Sequence, residues 1–285
     1  MTFLITGANG QLGQDIQALL KSEGKKLIGT DIQGPYESLD ITDIKSLRSF
    51  VKNKNITVII NCAAYNAVDK AETDSYLAFL INGIGTRNLA TVSREIGADF
   101  VHYSTDYVFD GKKSTPYTIL DRPSPVSKYG ESKFLGEIYT TNSTSNYYLI
   151  RTSWVFGKGN INWAKKVIEW SKEKDKLTIV DDEISCPTYT KDLAKGTIDL
   201  IKSNIYGLYH ITNSSFCSRF DWAKLILDEI NWKGELIRGK LKDFVLPAQR
   251  PGYSVLDSFG TKETIGYSLP SWQDATRKFL KEVEF

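Results

Sequence analysis

Three features of the sequence predict its fold class. Short β-rich apolar runs alternate with helix-patterned segments through about residue 155. A glycine-rich turn follows the first of those runs at once. After residue 155 the rhythm loosens, and Pro187, Pro247, Pro251 and Pro270 punctuate the chain. Such alternation specifies an α/β protein, a doubly wound parallel sheet of the Rossmann type. The looser second half predicts a smaller α/β lobe, interleaved with the sheet and closing over a cleft.

Composition sets the bounds. A chain of 285 residues is one large domain or two small ones and can bury a substantial core. It is 41% hydrophobic and 25% charged, ordinary for a globular protein. A net charge of +2 gives no argument for a nucleic-acid or membrane partner. No apolar run reaches the roughly 20 residues of a membrane span. The start, Met1-Thr2-Phe3-Leu4-Ile5-Thr6-Gly7, lacks the basic n-region of a signal peptide. Cys62, Cys186 and Cys217 are far apart and odd in number, so they read as free thiols of a reducing cytoplasm. No Cys/His cluster has metal-ligand spacing, and His102 reads as structural.

In chain order, residues 2–6 form a buried strand. Gly7-Ala8-Asn9-Gly10-Gln11-Leu12-Gly13 follows, and Leu12, Ile16, Leu19 and Leu20 then mark a helix face. Strand, glycine turn and helix together are the setting of a dinucleotide fingerprint. The spacing is G-x-x-G-x-x-G rather than G-x-G-x-x-G, but the physics is shared. Glycines allow the tight turn and let the backbone, Asn9 to Leu12 included, approach a pyrophosphate that the helix N-terminus stabilises. A second strand, 26–31, ends at Asp31, 18 residues after Gly13. A carboxylate there suits an adenosine ribose and favours NADH over NADPH by repelling a 2′-phosphate. Asp40, with Ile41 beside it, is placed to meet an adenine, and Thr42 or Asp43 caps the next helix.

Thr57–Asn61 is a third strand, nearly all apolar as a central parallel strand should be. Ala63, Ala64 and Tyr65 follow it, leaving room for a cofactor at the strand's carboxyl end. A long helix is expected over 73–96, with the polar Asn82 among aliphatics as either a structural device or a site residue. Asp99–Ser104 is the fourth strand, and it delivers Thr105 to the ligand crevice. A fifth strand over 146–152 ends at Ser153-Trp154-Val155-Phe156-Gly157. Helix patterns recur near 160–173, 189–203 and 218–230, with short strands near 177–180 and 208–211.

Between the fourth and fifth strands lies Ser127-Lys128-Tyr129-Gly130-Glu131-Ser132-Lys133. Ser124-Pro125 reads as its helix N-cap and first helical position, and Val126, Leu135, Ile138 and Tyr139 as an apolar stripe. Tyr129 and Lys133 are four apart, on one helix face. A phenol beside an ammonium is held below its usual pKa of about 10 and can hand a proton to a carbonyl oxygen.

The strings Thr6–Gly13, Asn61-Cys62-Ala63-Ala64-Tyr65, Ser104-Thr105-Asp106-Tyr107-Val108-Phe109, Tyr129–Lys133 and Arg151-Thr152-Ser153-Trp154 resemble the extended short-chain dehydrogenase/reductases. Within them they look like the dTDP-4-dehydrorhamnose reductase family, as does Ala248–Asp257 near the end. The resemblance implies a dinucleotide-binding part over residues 1–155 and a mainly substrate-binding lobe over 156–285. It implies that NADH or NADPH passes hydride to C4 of a nucleotide-linked 4-keto-6-deoxysugar, a small-molecule substrate. Thr105 would hydrogen-bond the C4 carbonyl oxygen and Tyr129 would protonate it. Lys133 would hold the nicotinamide ribose and lower the Tyr129 pKa. Asn82 matches the superfamily's helix asparagine. Ala63, Ala64 and Tyr65 would line the cofactor, Asp106 and Trp154 would contact the sugar, and Arg250 would meet the nucleotide diphosphate. A homodimer is left open. The same residues leave room for a nucleotide-sugar epimerase or dehydratase, or for a cofactor-binding regulatory subunit without turnover.

Two stretches depart from the family pattern. Gly159-Asn160-Ile161-Asn162-Trp163 stands where Gly-Asn-Asn-Phe is usual, and Glu183 where glutamine is common. Both fall in the substrate lobe and bear on which sugar is taken. Some relatives bind a metal through C-terminal acids. Glu282 and Glu284 read as solvated tail charges instead, so no metal is assigned.

Overall fold

The alternation read from the sequence is present as β1 (Thr2–Thr6), α1 (Gln11–Ser22), β2 (Lys26–Asp31), a two-residue β3 (Glu37–Ser38), α2 (Ile44–Val51) and β4 (Val58–Asn61). The structure, a computed structural model, describes residues 1–159 and 162–283. A helical run then leads through α3 (Ser75–Phe79) and α4 (Thr86–Ile96) to β5 (Asp99–Thr105). After it come α5 (Lys128–Ser143) and β6 (Tyr147–Thr152). In the second half lie α6 (Trp163–Glu173), α7 (Thr190–Ser203) and α8 (Arg219–Glu229). Asn160, Ile161 and Glu284, singled out in the sequence, lie outside the described residues.

Seven parallel strands form the central sheet, in the order Gly207–His210, β6, β5, β4, β1, β2, β3. The chain winds outward from β1 in both directions, so the strand order reverses between β1 and β4. That reversal opens a crevice at the carboxyl ends of the strands. Register aligns those ends. Thr6 pairs with Thr30 and Asn61, Asn61 with His102, and Thr105 with Thr152. The loops that begin at Gly7, Cys62, Asp106 and Ser153 therefore leave the sheet along one edge.

Each face of the sheet carries its own core. Phe3, Ile5, Val58, Ile60, Val101 and Ile150 pack against α1 and α7. Leu4, Ile59 and Phe100 point the other way, toward α2 and α4. This is the period-2 alternation of strands buried on both sides. A third core belongs to the second half, where Phe156, Val167, Tyr189, Trp222 and Phe279 meet. Parallel strands at Lys176–Val180 and Glu235–Gly239 flank it.

The structure revises the sequence reading in three places. The helix expected over 73–96 is interrupted by a π-helical stretch, Leu80–Gly85, which holds Asn82. The short strand expected near 208–211 joins the central sheet beside β6 rather than the second lobe, and α7 packs with it, which is how the expected interleaving of the two halves comes about. The cap of α5 is Ser127, not Ser124. Its Oγ accepts from Gly130 N at 3.2 Å, while Ser124 N is tied to Val108 O.

Candidate active site

The first β–α turn is shaped to admit an anion. Gly7 has φ +65, and a side chain there would drive into the Ala63 backbone. A side chain at Gly13 would meet the Gly7 carbonyl and Ala8. No side chain caps the N-terminus of α1 and no acidic residue sits in its first turn. Its leading N–H groups are thus available to phosphate oxygens. Gly10, Gln11, Leu12 and Gly13 line a cleft of about 550 Å³. Ala63, Ala64, Thr105, Asp106, Tyr129, Lys133 and Trp154 line the same cleft. Arg219 and Trp222, which sequence reading did not name, line it as well, with Tyr107 and Trp163, which it named only within longer motifs.

Thr105 ends β5. Its Oγ accepts from Tyr107 N at 3.1 Å, and its hydroxyl donates to Asp106 Oδ1 at 3.0 Å. The Thr105 hydroxyl also acts on the Tyr129 phenol, lowering its pKa against burial. Ser185 and Ser254 donate to Asp106 Oδ2 at 3.0 and 2.5 Å. Burial lifts the Asp106 pKa to about 6, against those hydroxyls and the charge of Arg219.

The helix carrying Tyr129 and Lys133 buries a different face from the one its aliphatics suggest. Gly130, Lys133, Gly136, Glu137 and Thr140 point inward, whereas Ile138 is exposed. The polar face is accepted because its charges are matched. Arg151 makes a bidentate pair with Glu137 at 2.8 and 2.7 Å, and Ser104 donates to the same carboxylate at 2.5 Å. Lys133 Nζ donates to the Tyr103 carbonyl at 2.5 Å. Burial pushes its pKa down to about 8, although Glu137 and Cys62 favour the charged form.

The expectation that Lys133 lowers the Tyr129 pKa needs correction. Burial dominates and pushes the phenol well above its ordinary value; Thr105 opposes this and the Asp106 carboxylate adds to it. The phenol is therefore neutral at neutral pH, the form an acid requires.

Asn82 lies beneath the cleft rather than on it. Its Oδ1 accepts from Tyr65 N at 2.8 Å, and its Nδ2 donates to Tyr65 O and Ser132 Oγ at 3.0 and 2.9 Å. Both amide hydrogens are used, so Asn82 fastens the Ala63–Tyr65 loop to α5 and has no donor left for a cofactor. Tyr65 lies in that loop and is absent from the cleft lining.

Asp31 stands at the end of β2, beside the glycine turn, and accepts from Asn9 N at 3.0 Å. Neither residue is among those lining the cleft. Asp40 is exposed, and its carboxylate accepts from Thr42 N and Oγ1 at 2.8 Å. Ile41 is buried, and Asp43 caps α2. Arg250 makes a bidentate pair with Asp69, at 3.1 and 2.8 Å, also outside the cleft lining. Among the described residues no group of three or more His, Cys, Asp or Glu is arranged to hold a metal, and no helix is long and apolar enough to cross a membrane.

Trp154 adopts a left-handed backbone at φ +43, unusual for so bulky a residue. Its buried Nε1 has no hydrogen-bond partner among the described residues. Strain of this kind persists where the surroundings over-determine it, as at ligand sites.

The family model described as the RmlD substrate binding domain matches residues 1–285. The chain is 37% identical to the spore coat polysaccharide biosynthesis protein SpsK of Bacillus subtilis, over 98% of this chain and 96% of that protein. A dTDP-4-dehydrorhamnose reductase structure from Clostridium acetobutylicum superimposes with a TM-score of 0.94 at 38% identity, covering 99% of each chain. A Bacillus anthracis dTDP-4-dehydrorhamnose reductase in complex with NADP gives 0.94 at 37% identity, again over 99% of each.

Proposed function

This chain belongs to the RmlD substrate binding domain family, that of the dTDP-4-dehydrorhamnose reductases, and from that we propose how its cleft works. It is an NAD(P)H-dependent oxidoreductase that reduces the C4 keto group of dTDP-4-dehydro-L-rhamnose to give dTDP-L-rhamnose. The observation that carries the roles below is one cleft. The uncapped glycine turn, the Thr105 and Tyr129 hydroxyls and the Lys133 amine all line it.

When bound, the nicotinamide cofactor supplies the hydride. The chain supplies everything else. Gly7, Asn9, Gly10, Gln11, Leu12 and Gly13 form the turn that receives the pyrophosphate. Asp31 would hold the adenosine ribose, and Asp40 and Ile41 would border the adenine. Ala63, Ala64 and Tyr65, fastened from beneath by Asn82, keep the floor of the cofactor groove in place. Lys133 turns its ammonium to the nicotinamide ribose hydroxyls. Negative charge builds on the carbonyl oxygen as the C4 carbon is reduced. Tyr129, neutral at physiological pH, donates its proton to that oxygen, and Thr105 positions it. A preorganised donor of this kind is commonly worth a few kcal/mol. Asp106 and Trp154 hold the sugar. Arg250, paired with Asp69, would be the residue that meets the diphosphate.

Residues 1–155 form the dinucleotide-binding part and 156–285 mainly the substrate lobe. A cytoplasmic setting fits the three cysteines, which are free thiols. Sedimentation velocity separates monomer from homodimer.

The test is stoichiometric. Purified protein, NADPH and dTDP-4-dehydro-L-rhamnose should give one NADPH oxidised per sugar reduced. Conversion of the sugar without net NADPH consumption would instead mark an epimerase or dehydratase.

A further inference from the structure

One cation in the cleft is left unused by these roles. Arg219 opens α8, and its guanidinium carbon lies 3.6 Å from the ring centroid of Trp154, 4.9 Å from Trp163 and 5.9 Å from Trp222. The indoles are themselves stacked, Trp154 on Trp222 at 5.8 Å and Trp163 on Trp222 at 4.8 Å. Arg219 Nε and Nη2 both donate to Glu183 Oε1, at 3.3 and 3.2 Å. Nη1 has no acceptor among the described residues. The Arg219 and Glu183 side chains are only 14% and 7% exposed. Glu183 and Trp163, two positions that depart from the family pattern, both touch this arginine.

We propose that Arg219 is a specificity-determining residue: held flat among the indoles by Glu183, its Nη1 donates to a hydroxyl of the hexose ring whose C4 carbonyl meets Thr105 and Tyr129. The inference rests on the reductase reading above. The ligand group is a neutral hydroxyl and not a phosphate, because of the charge around the arginine. Glu183 already neutralises the guanidinium, and the Asp106 carboxylate lies close enough to feel its charge. A dianion brought there would face both acids. Tyr107, whose hydroxyl points at the same Glu183 oxygen at 3.5 Å, adds no positive charge.

The geometry also explains why such a contact discriminates. The planar guanidinium is fixed by stacking and by its carboxylate before the sugar arrives, so little freedom is lost on binding. A sugar lacking the matching hydroxyl would cover this N–H without giving it an acceptor. Loss of a hydrogen bond to a charged group in such a place costs about 10- to 100-fold in specificity.

The experiment compares kcat/KM for dTDP-4-dehydro-L-rhamnose and its 2-deoxy and 3-deoxy analogues, in wild type, Arg219→Gln and the Arg219→Gln/Glu183→Gln double variant. The double variant leaves no unpaired buried carboxylate, and the KM for NADPH reports on its integrity. Wild type should prefer the parent sugar over one analogue by about 10- to 100-fold. Both variants should lose that preference, chiefly through a higher KM for the parent, with the KM for NADPH unchanged. Equal use of all three sugars by wild type, or a preference that survives in the variants, would overturn the assignment. Wild-type protein inert toward all three would instead overturn the reductase reading, and this inference with it.

Discussion

At the scale of single residues, Lys133 shows how burial decides chemistry. Four positions from Tyr129, it was expected to act on the phenol by charge. Its ammonium instead donates to the Tyr103 carbonyl, and burial brings its own pKa to about 8. Below that value it is an ammonium able to donate to ribose hydroxyls; above it, an amine. The plot of kcat/KM against pH should therefore fall as pH rises through about 8. Lys133→Arg, charged throughout, should retain activity to higher pH. An alkaline limb unchanged in Lys133→Arg would assign the titration to another group. Tyr129 and Lys133 were legible from their spacing on one helix face, and Thr105 from its place at the carboxyl end of β5; all three line the cleft. Arg219 was not, since nothing in its neighbourhood of the chain announces the three indoles and the carboxylate that make it a site feature.

At the scale of elements, strands were read well and helix faces poorly. β1 and β4 are short, mainly apolar runs, as strands buried on both faces of a sheet require. α5 defeated the apolar-stripe argument, because Gly130, Gly136 and the paired Glu137 made its polar side the buried one. The π-helical stretch Leu80–Gly85 was invisible as well. Its sequence is helical, and its irregularity becomes meaningful only with Tyr65 opposite. Asn82→Leu tests that element. It keeps the bulk but leaves the Tyr65 backbone groups without partners. The expected outcome is a loss of roughly 1–3 kcal/mol of stability by urea denaturation, with weaker NADPH binding. Unchanged stability and cofactor affinity would mean that the loop does not depend on this clamp.

At the scale of the molecule, the two halves are not sequential. α7 and the Gly207–His210 strand return to the first core, and Asp106 takes hydroxyl bonds from Ser185 and Ser254 across the cleft. The loosening after residue 155, an interleaved lobe and a strand near 208–211 were all read from the sequence, but not that this strand pairs with β6, because an edge strand of four residues carries little pattern of its own. Interleaving predicts that NADPH stabilises both halves together. At 100 times its Kd it should add about 2.7 kcal/mol to a single unfolding transition. Two transitions, with only one responding to NADPH, would mean that the halves unfold independently.

The reaction turns on the neutral Tyr129 phenol giving its proton to the carbonyl oxygen. Single-turnover reduction of dTDP-4-dehydro-L-rhamnose by Tyr129→Phe saturated with NADPH measures it most directly. The predicted result is a rate lower by about 10²–10⁴-fold, with NADPH affinity nearly intact. A Tyr129→Phe enzyme that turns over at the wild-type rate would contradict it.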